Sequence, residues 1–337
     1  MRSPVFFRGR DLLYYREHYY PNDATVAHEF MQEALQTAER TQNMKTRIII
    51  VPNGSYRICG KIMASAYAHL CPEAIKRIFV FGRTCHFLPY MGALSNMDYL
   101  NSPLGRLPVD KKINAELIQS GDFNYLDIPT DTNERFIEMQ LPFISKVMEN
   151  RKGLFKVIPV YIGTLAHEQQ TIMAHRFQKY LKDPENAFIF STSLCHWGEI
   201  YGCTTKLPDT PTVLDSIKTT DALAIEAIKQ LRFQCFDEFL MDTKAAVYDR
   251  QIITLFIFMT RKLIDTDMYQ LIKLDEEKTS KTMRLTATFR LMGQAWSFPE
   301  VTQNDSCISY FSAVVTFDTK KFIDEEPTEA NPLNKLC

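Results

Sequence analysis

No apolar run in this chain approaches the roughly 20 residues that cross a bilayer as a helix; the longest, residues 252–259, is interrupted by Thr254. Absent as well are a glycine-rich phosphate loop, a GxSxG elbow and an HExxH pair, so the sequence motifs of P-loop enzymes, α/β-hydrolases and zincins are missing. No two cysteines stand in CxxC spacing: Cys59, Cys71, Cys85, Cys195, Cys203, Cys235, Cys307 and Cys337 are scattered. That excludes a zinc ribbon and a compact disulfide framework and leaves reduced thiols. Charge of one sign is lacking too. The 39 basic and 40 acidic side chains leave a net charge of −1, so no nucleic-acid partner is expected. Residues 1–20 mix Arg, Asp and Tyr in place of the apolar stretch of a secretion signal, and the expected location is the cytoplasm, with the nucleus also open to it.

What remains is a globular composition, 45% hydrophobic with 12 Gly and 16 Pro, large enough for one sizeable α/β unit. Asn22 and Asp23 can cap an amphipathic helix from about Ala24. Residues 47–51 (RIIIV) read as a buried strand that stops at Pro52, Asn53 and Gly54. A helix over 55–70 and a second strand over 77–81 (RIFVF) complete a βαβ crossover, whose strands must be parallel and adjacent or nearly so. The alternation returns as strand 156–162 (KVIPVYI), helix 167–181 and strand 187–190 (AFIF). Helical periodicity marks 211–231 and 249–264, and alternation at 281–298 and 309–317 suggests strands or a hairpin joining the sheet. The expected fold is α/β, a central mostly parallel sheet flanked by helices with additional C-terminal strands. Residues 1–317 form the single domain of this reading, and 318–337, rich in Lys, Asp, Glu and Pro, a mobile polar tail.

In open α/β sheets ligands sit beyond the carboxyl ends of the strands, where loops converge and helix N-termini point inward. That rule selects Asn53, the loop 83–86 (RTCH) and the segment 193–197 (SLCHW). They contain two of the seven histidines, His86 and His196, and two thiols, Cys85 and Cys195, which are ligand types for zinc, iron or copper. Cys195 and His196 are adjacent in an extended segment, so at most one faces any given cavity. A hydrogen-bonded histidine packed beside Trp197 is the plain alternative.

Five collinear segments, 50–60 (IVPNGSYRICG), 77–86 (RIFVFGRTCH), 136–142 (FIEMQLP), 157–163 (VIPVYIG) and 191–198 (STSLCHWG), resemble the Memo family, named for a mediator of ErbB2-driven cell motility. The resemblance runs from about Thr46 to Phe317 and implies a fold similar to class III, non-haem iron extradiol dioxygenases. It also implies a pocket, most of whose polar residues differ here. Asn53 stands where the family has a histidine, Cys85 at the inward member of a His-His pair that His86 completes, Ser193 at an aspartate, Arg135 at a histidine and Tyr248 at a cysteine. His196 and Glu138 keep the family identity.

An extradiol Fe(II) centre needs two imidazoles and a carboxylate on one face. With Asn53 and Ser193 in their places, and with Arg135 as a cation if it enters the pocket, the cavity is expected to prefer a carboxylate, phosphate or phosphotyrosine to a metal. The implied reading is a non-catalytic signalling or cytoskeleton-linked adaptor with no cofactor and a protein or phosphopeptide partner. The alternative is an iron-, copper- or zinc-dependent redox or metal-binding protein using Cys85, His86 and His196.

Overall fold

The computed structural model describes residues 9–10, 19–41, 46–84, 86, 88, 90–275 and 283–321. Its core is a sheet whose four central strands are parallel in the order Ile48–Val51, Asn186–Ser191, Arg77–Arg83, Lys156–Ile162. The two βαβ units, 48–83 and 156–191, each skip one position, so the two strands of the first are near neighbours with Asn186–Ser191 inserted between them. Gly92–Leu94 continues the sheet antiparallel to Lys156–Ile162. At the other side Cys307–Lys321 runs antiparallel to Ile48–Val51 and forms a long hairpin with Met283–Trp296. The expected fold class is the one observed.

The near-continuous apolar composition of the central strands follows from burial on both faces. Alternate residues divide between two cores: Ile48, Ile50, Phe79, Phe81, Phe188 and Phe190 point to one, Ile49, Val51, Ile78, Val80 and Ile189 to the other. On the first side the rings of Phe79 and Phe188 stack at 5.1 Å and those of Phe81 and Phe190 at 4.9 Å. The helix His167–Lys182 closes this ladder by driving Phe177 edge-on into Phe79 and Phe81, the geometry that ring quadrupoles favour. The helix Arg250–Asp275 packs beside it. The helices Ala24–Thr37 and Tyr56–Tyr67 cover the opposite face, and Asp23 caps the former by accepting hydrogen bonds from the amides of Thr25 and Val26.

The reading above did not anticipate a small sheet of Gly9–Arg10, Tyr99–Ser102 and Gly105–Pro108, or the helix Phe233–Thr243. Their apolar positions are too few and too short for periodicity to show. The last strand also passes the expected domain boundary at 317, since Asp318 still pairs with Thr286 and the strand runs to Lys321. Residues 322–337 lie outside the described residues. Among the described residues no helix is long and apolar enough to cross a membrane.

Candidate functional site

Parallel register brings the first two loop tips together. Val51 pairs with Ser191, and the amide of Thr192 donates to the carbonyl of Val51 at 2.9 Å, so Asn53 and Ser193, each two residues past the paired position, emerge side by side. Beneath them Gln140, from the FIEMQLP segment, donates to both the carbonyl of Pro52 and Oγ of Ser191. Gly54 is required by crowding, because a Cβ there would stand 2.6 Å from the Tyr310 ring and 2.8 Å from Cys59 Sγ.

The centre of the site is a residue absent from the sequence-derived set. Asp249, 1% exposed and placed at the entry of the helix Arg250–Asp275, accepts four hydrogen bonds. They come from Asn53 Nδ2 (2.8 Å), the Ser193 amide (2.7 Å), Ser193 Oγ (2.7 Å) and Arg83 Nε (2.7 Å). Arg83 is held in turn over the Phe136 ring at 4.6 Å. Two expectations are corrected here. The site does carry a carboxylate, supplied by Asp249 and bonded to the serine that stands where the family has an acid. The cation inside it is Arg83, whereas Arg135 is exposed, donates to the Tyr19 hydroxyl at 2.9 Å and lies over Phe136 from outside.

His196 adjoins this network. Its Nε2 is 3.1 Å from Ser193 Oγ, and its ring stacks on Tyr248 at 4.8 Å and meets Tyr201 at 4.7 Å. The one hydroxyl hydrogen of Ser193 goes to Asp249, an acceptor-only group when ionised, so toward His196 the hydroxyl accepts and Nε2 carries the imidazole proton. Nδ1 is then a buried acceptor without a hydrogen-bond partner among the described residues. This order, carboxylate to hydroxyl to imidazole, is not that of a nucleophilic triad, in which the imidazole takes the hydroxyl proton and the carboxylate orients the imidazole.

Burial pulls the His196 pKa down to about 4; Asp249 opposes the shift, and Arg83 and Arg135 add to it. Between the unfolded value of about 6.5 and this folded value, the unfolded chain binds a proton that the folded chain refuses. Stability is therefore expected to fall as pH drops through that window, by roughly 3 kcal/mol at most. Buried Asp221, raised to about 6 by desolvation, works in the opposite direction, favouring the folded state as pH falls from about 6 toward 3.8. The variant His196→Phe keeps a ring against Tyr248 and leaves Asp221 in place. Urea unfolding of both proteins at pH 7 and pH 4 should show a smaller loss in the variant, and equal losses would refute this account.

The remaining predicted residues are dispersed. Glu138 is fully buried but takes the hydroxyl hydrogen of Tyr20 on the other side of the sheet. His86 is exposed, its amide donating to Thr84 Oγ1 and its Nε2 lying 3.9 Å from Glu134. Tyr248, 42% exposed, forms an outer wall over His196. Cys85 lies outside the described residues. Asn53, Ser193, His196 and Tyr248 thus come together, and Glu138 and His86 do not join them.

The described residues do not fit an iron, copper or zinc centre. No three His, Cys, Asp or Glu among them are grouped to hold a metal, and the Asp249 carboxylate beside His196 is already engaged by four donors, one of them a guanidinium. A metal would have to displace Arg83 and then compete with its charge.

Comparison with known proteins matches the family model described as Memo-like protein over residues 17–286. Protein MEMO1 of Mus musculus and of Homo sapiens are each 36% identical over 194 residues, 58% of this chain and 65% of theirs. The Protein memo-1 homolog of Caenorhabditis elegans is 31% identical over 217 residues, 63% of this chain and 60% of its own. The aligned part is thus just under two thirds of these relatives' length, while the family model covers most of the chain, which belongs to the Memo family.

Proposed function

We propose that the protein is a non-catalytic adaptor that binds an anionic peptide, with phosphotyrosine as the charged group, at the mouth of the Asn53–Ser193–Asp249 site. The observation that carries this reading is the division of charge. Inside, Arg83 and Asp249 neutralise one another, and Asn53 and Ser193 both donate to the same carboxylate. Outside, the exposed Arg135 lies close enough to act electrostatically on His196, Tyr201 and Tyr310. Tyr201 and Tyr248 meet edge to face at 5.6 Å beside it.

A guanidinium next to aromatic walls suits a phenyl phosphate: the fork bonds the phosphate oxygens and the rings pack on the phenyl group. The neutralised interior leaves the phosphate to the guanidinium at the mouth. In a peptide pulldown on the full chain, phosphotyrosine peptides should be retained over their unphosphorylated counterparts. The substitution Arg135→Ala should weaken that binding at least tenfold, about what one charge-assisted bidentate contact contributes. Equal retention of both peptide forms would refute the reading.

A further inference from the structure

A second site lies away from the sheet rim, on the outer side of the helix Arg250–Asp275. Arg261 stands about 16 Å along that helix axis from Arg250, at the usual rise of about 1.5 Å per residue. There the helices His167–Lys182 and Arg250–Asp275 and the start of Phe233–Thr243 enclose a cavity of about 490 Å³. That is within the range, roughly 300–1,000 Å³, of small-molecule sites.

Two kinds of group converge on it. One is a set of three rings: His167 lies 4.6 Å from Phe233 and 5.1 Å from Phe258, and the two phenylalanines stack at 5.4 Å. His167 is exposed and the two phenylalanines half-buried, so the cluster presents aromatic surface to the cavity. The other is positive charge, from Arg232 and from Arg261, which pairs at 2.9 Å with Asp265, the one acid lining the cavity among the described residues. The chain is also strained there. Leu231, in the cavity wall, holds φ at +52°, a left-handed conformation that a branched side chain resists.

We infer that this cavity binds a nucleoside monophosphate, with the base against the Phe233–Phe258–His167 cluster and the phosphate between Arg232 and Arg261. Cations that flank the ring cluster, Arg232 beside Phe233 and Arg261 one helical turn from Phe258, select a ligand that carries both an anion and a flat ring, and stacking tolerates any base because each has a π face. The space exceeds what a phenyl phosphate would fill, which favours the larger nucleotide. The inference is independent of the peptide site at the rim.

The test is calorimetric titration of the full chain with AMP and UMP, and separately with adenosine, inorganic phosphate and phosphotyrosine. At least one nucleotide should bind with one-to-one stoichiometry, at least tenfold tighter than adenosine, phosphate or phosphotyrosine. The substitutions Arg232→Ala and Phe258→Ala should each weaken that binding at least tenfold. Arg261→Ala, on an exposed position where folding is not at risk, should weaken it several-fold with an unchanged melting temperature. Absence of nucleotide binding, tighter binding of phosphotyrosine, or affinity unchanged in the Arg232 and Arg261 variants would overturn the assignment.

Discussion

Replacing Asp249 with alanine is expected to destabilise the protein by about 3–5 kcal/mol, the range for breaking a buried ion pair by removing one partner. The effect is large because four donors lose their acceptor together: Arg83 Nε, Asn53 Nδ2 and the amide and hydroxyl of Ser193. Arg83, with a side chain 22% exposed, would remain partly desolvated without its counter-charge. Asp249→Asn should cost less, since one oxygen survives, but it directs an amide at one of the donors. The double variant Arg83→Ala/Asp249→Ala should be more stable than the sum of the two single losses predicts, because it strands no charge. Urea denaturation of the wild type, the three single variants and the double variant measures all of this, and an Asp249→Ala protein within about 1 kcal/mol of wild type would show that the network is ornamental.

The second large effect is expected in the aromatic ladder. Phe177→Ala removes a fully buried ring that meets Phe79, Phe81 and Phe123 edge-on, and a loss of about 3–5 kcal/mol follows from lost transfer energy and an unfilled cavity. One turn and a little more toward the N-terminus of the same helix, Ile172 is 43% exposed, and Ile172→Ala should stay within about 0.5 kcal/mol. Thermal or urea unfolding compares the two, and similar losses at both positions would contradict the burial assigned to this helix.

The strands that build the sheet were legible because burial on both faces leaves an uninterrupted apolar run, as in RIIIV and RIFVF. Their lateral order was not, since sequence does not say that 186–191 inserts between the first two strands. The same limit governs the site. Asn53, Ser193 and His196 follow from the rule that loops beyond the strand ends converge, but Asp249 arrives from a distant segment, and its position before a helical pattern reads as an ordinary cap. Its neighbour Tyr248 drew the assignment instead. Arg83 lies in the chosen loop, and nothing in RTCH says that its guanidinium turns inward while that of Arg135 stays out. Glu138 shows the reverse error: a buried acid in a family segment whose partner, Tyr20, is on the far side of the sheet.

The pairing of Ile48–Ile50 with residues 313–315 sets a timetable for biosynthesis. At about 5–20 residues per second, the segment that seals one side of the first strand leaves the ribosome roughly 10–50 s after that strand does. Throughout that interval an apolar strand edge is available to pair with other nascent chains. Stalling the ribosome before residue 307 should therefore leave the emerged chain more open to protease than the finished one.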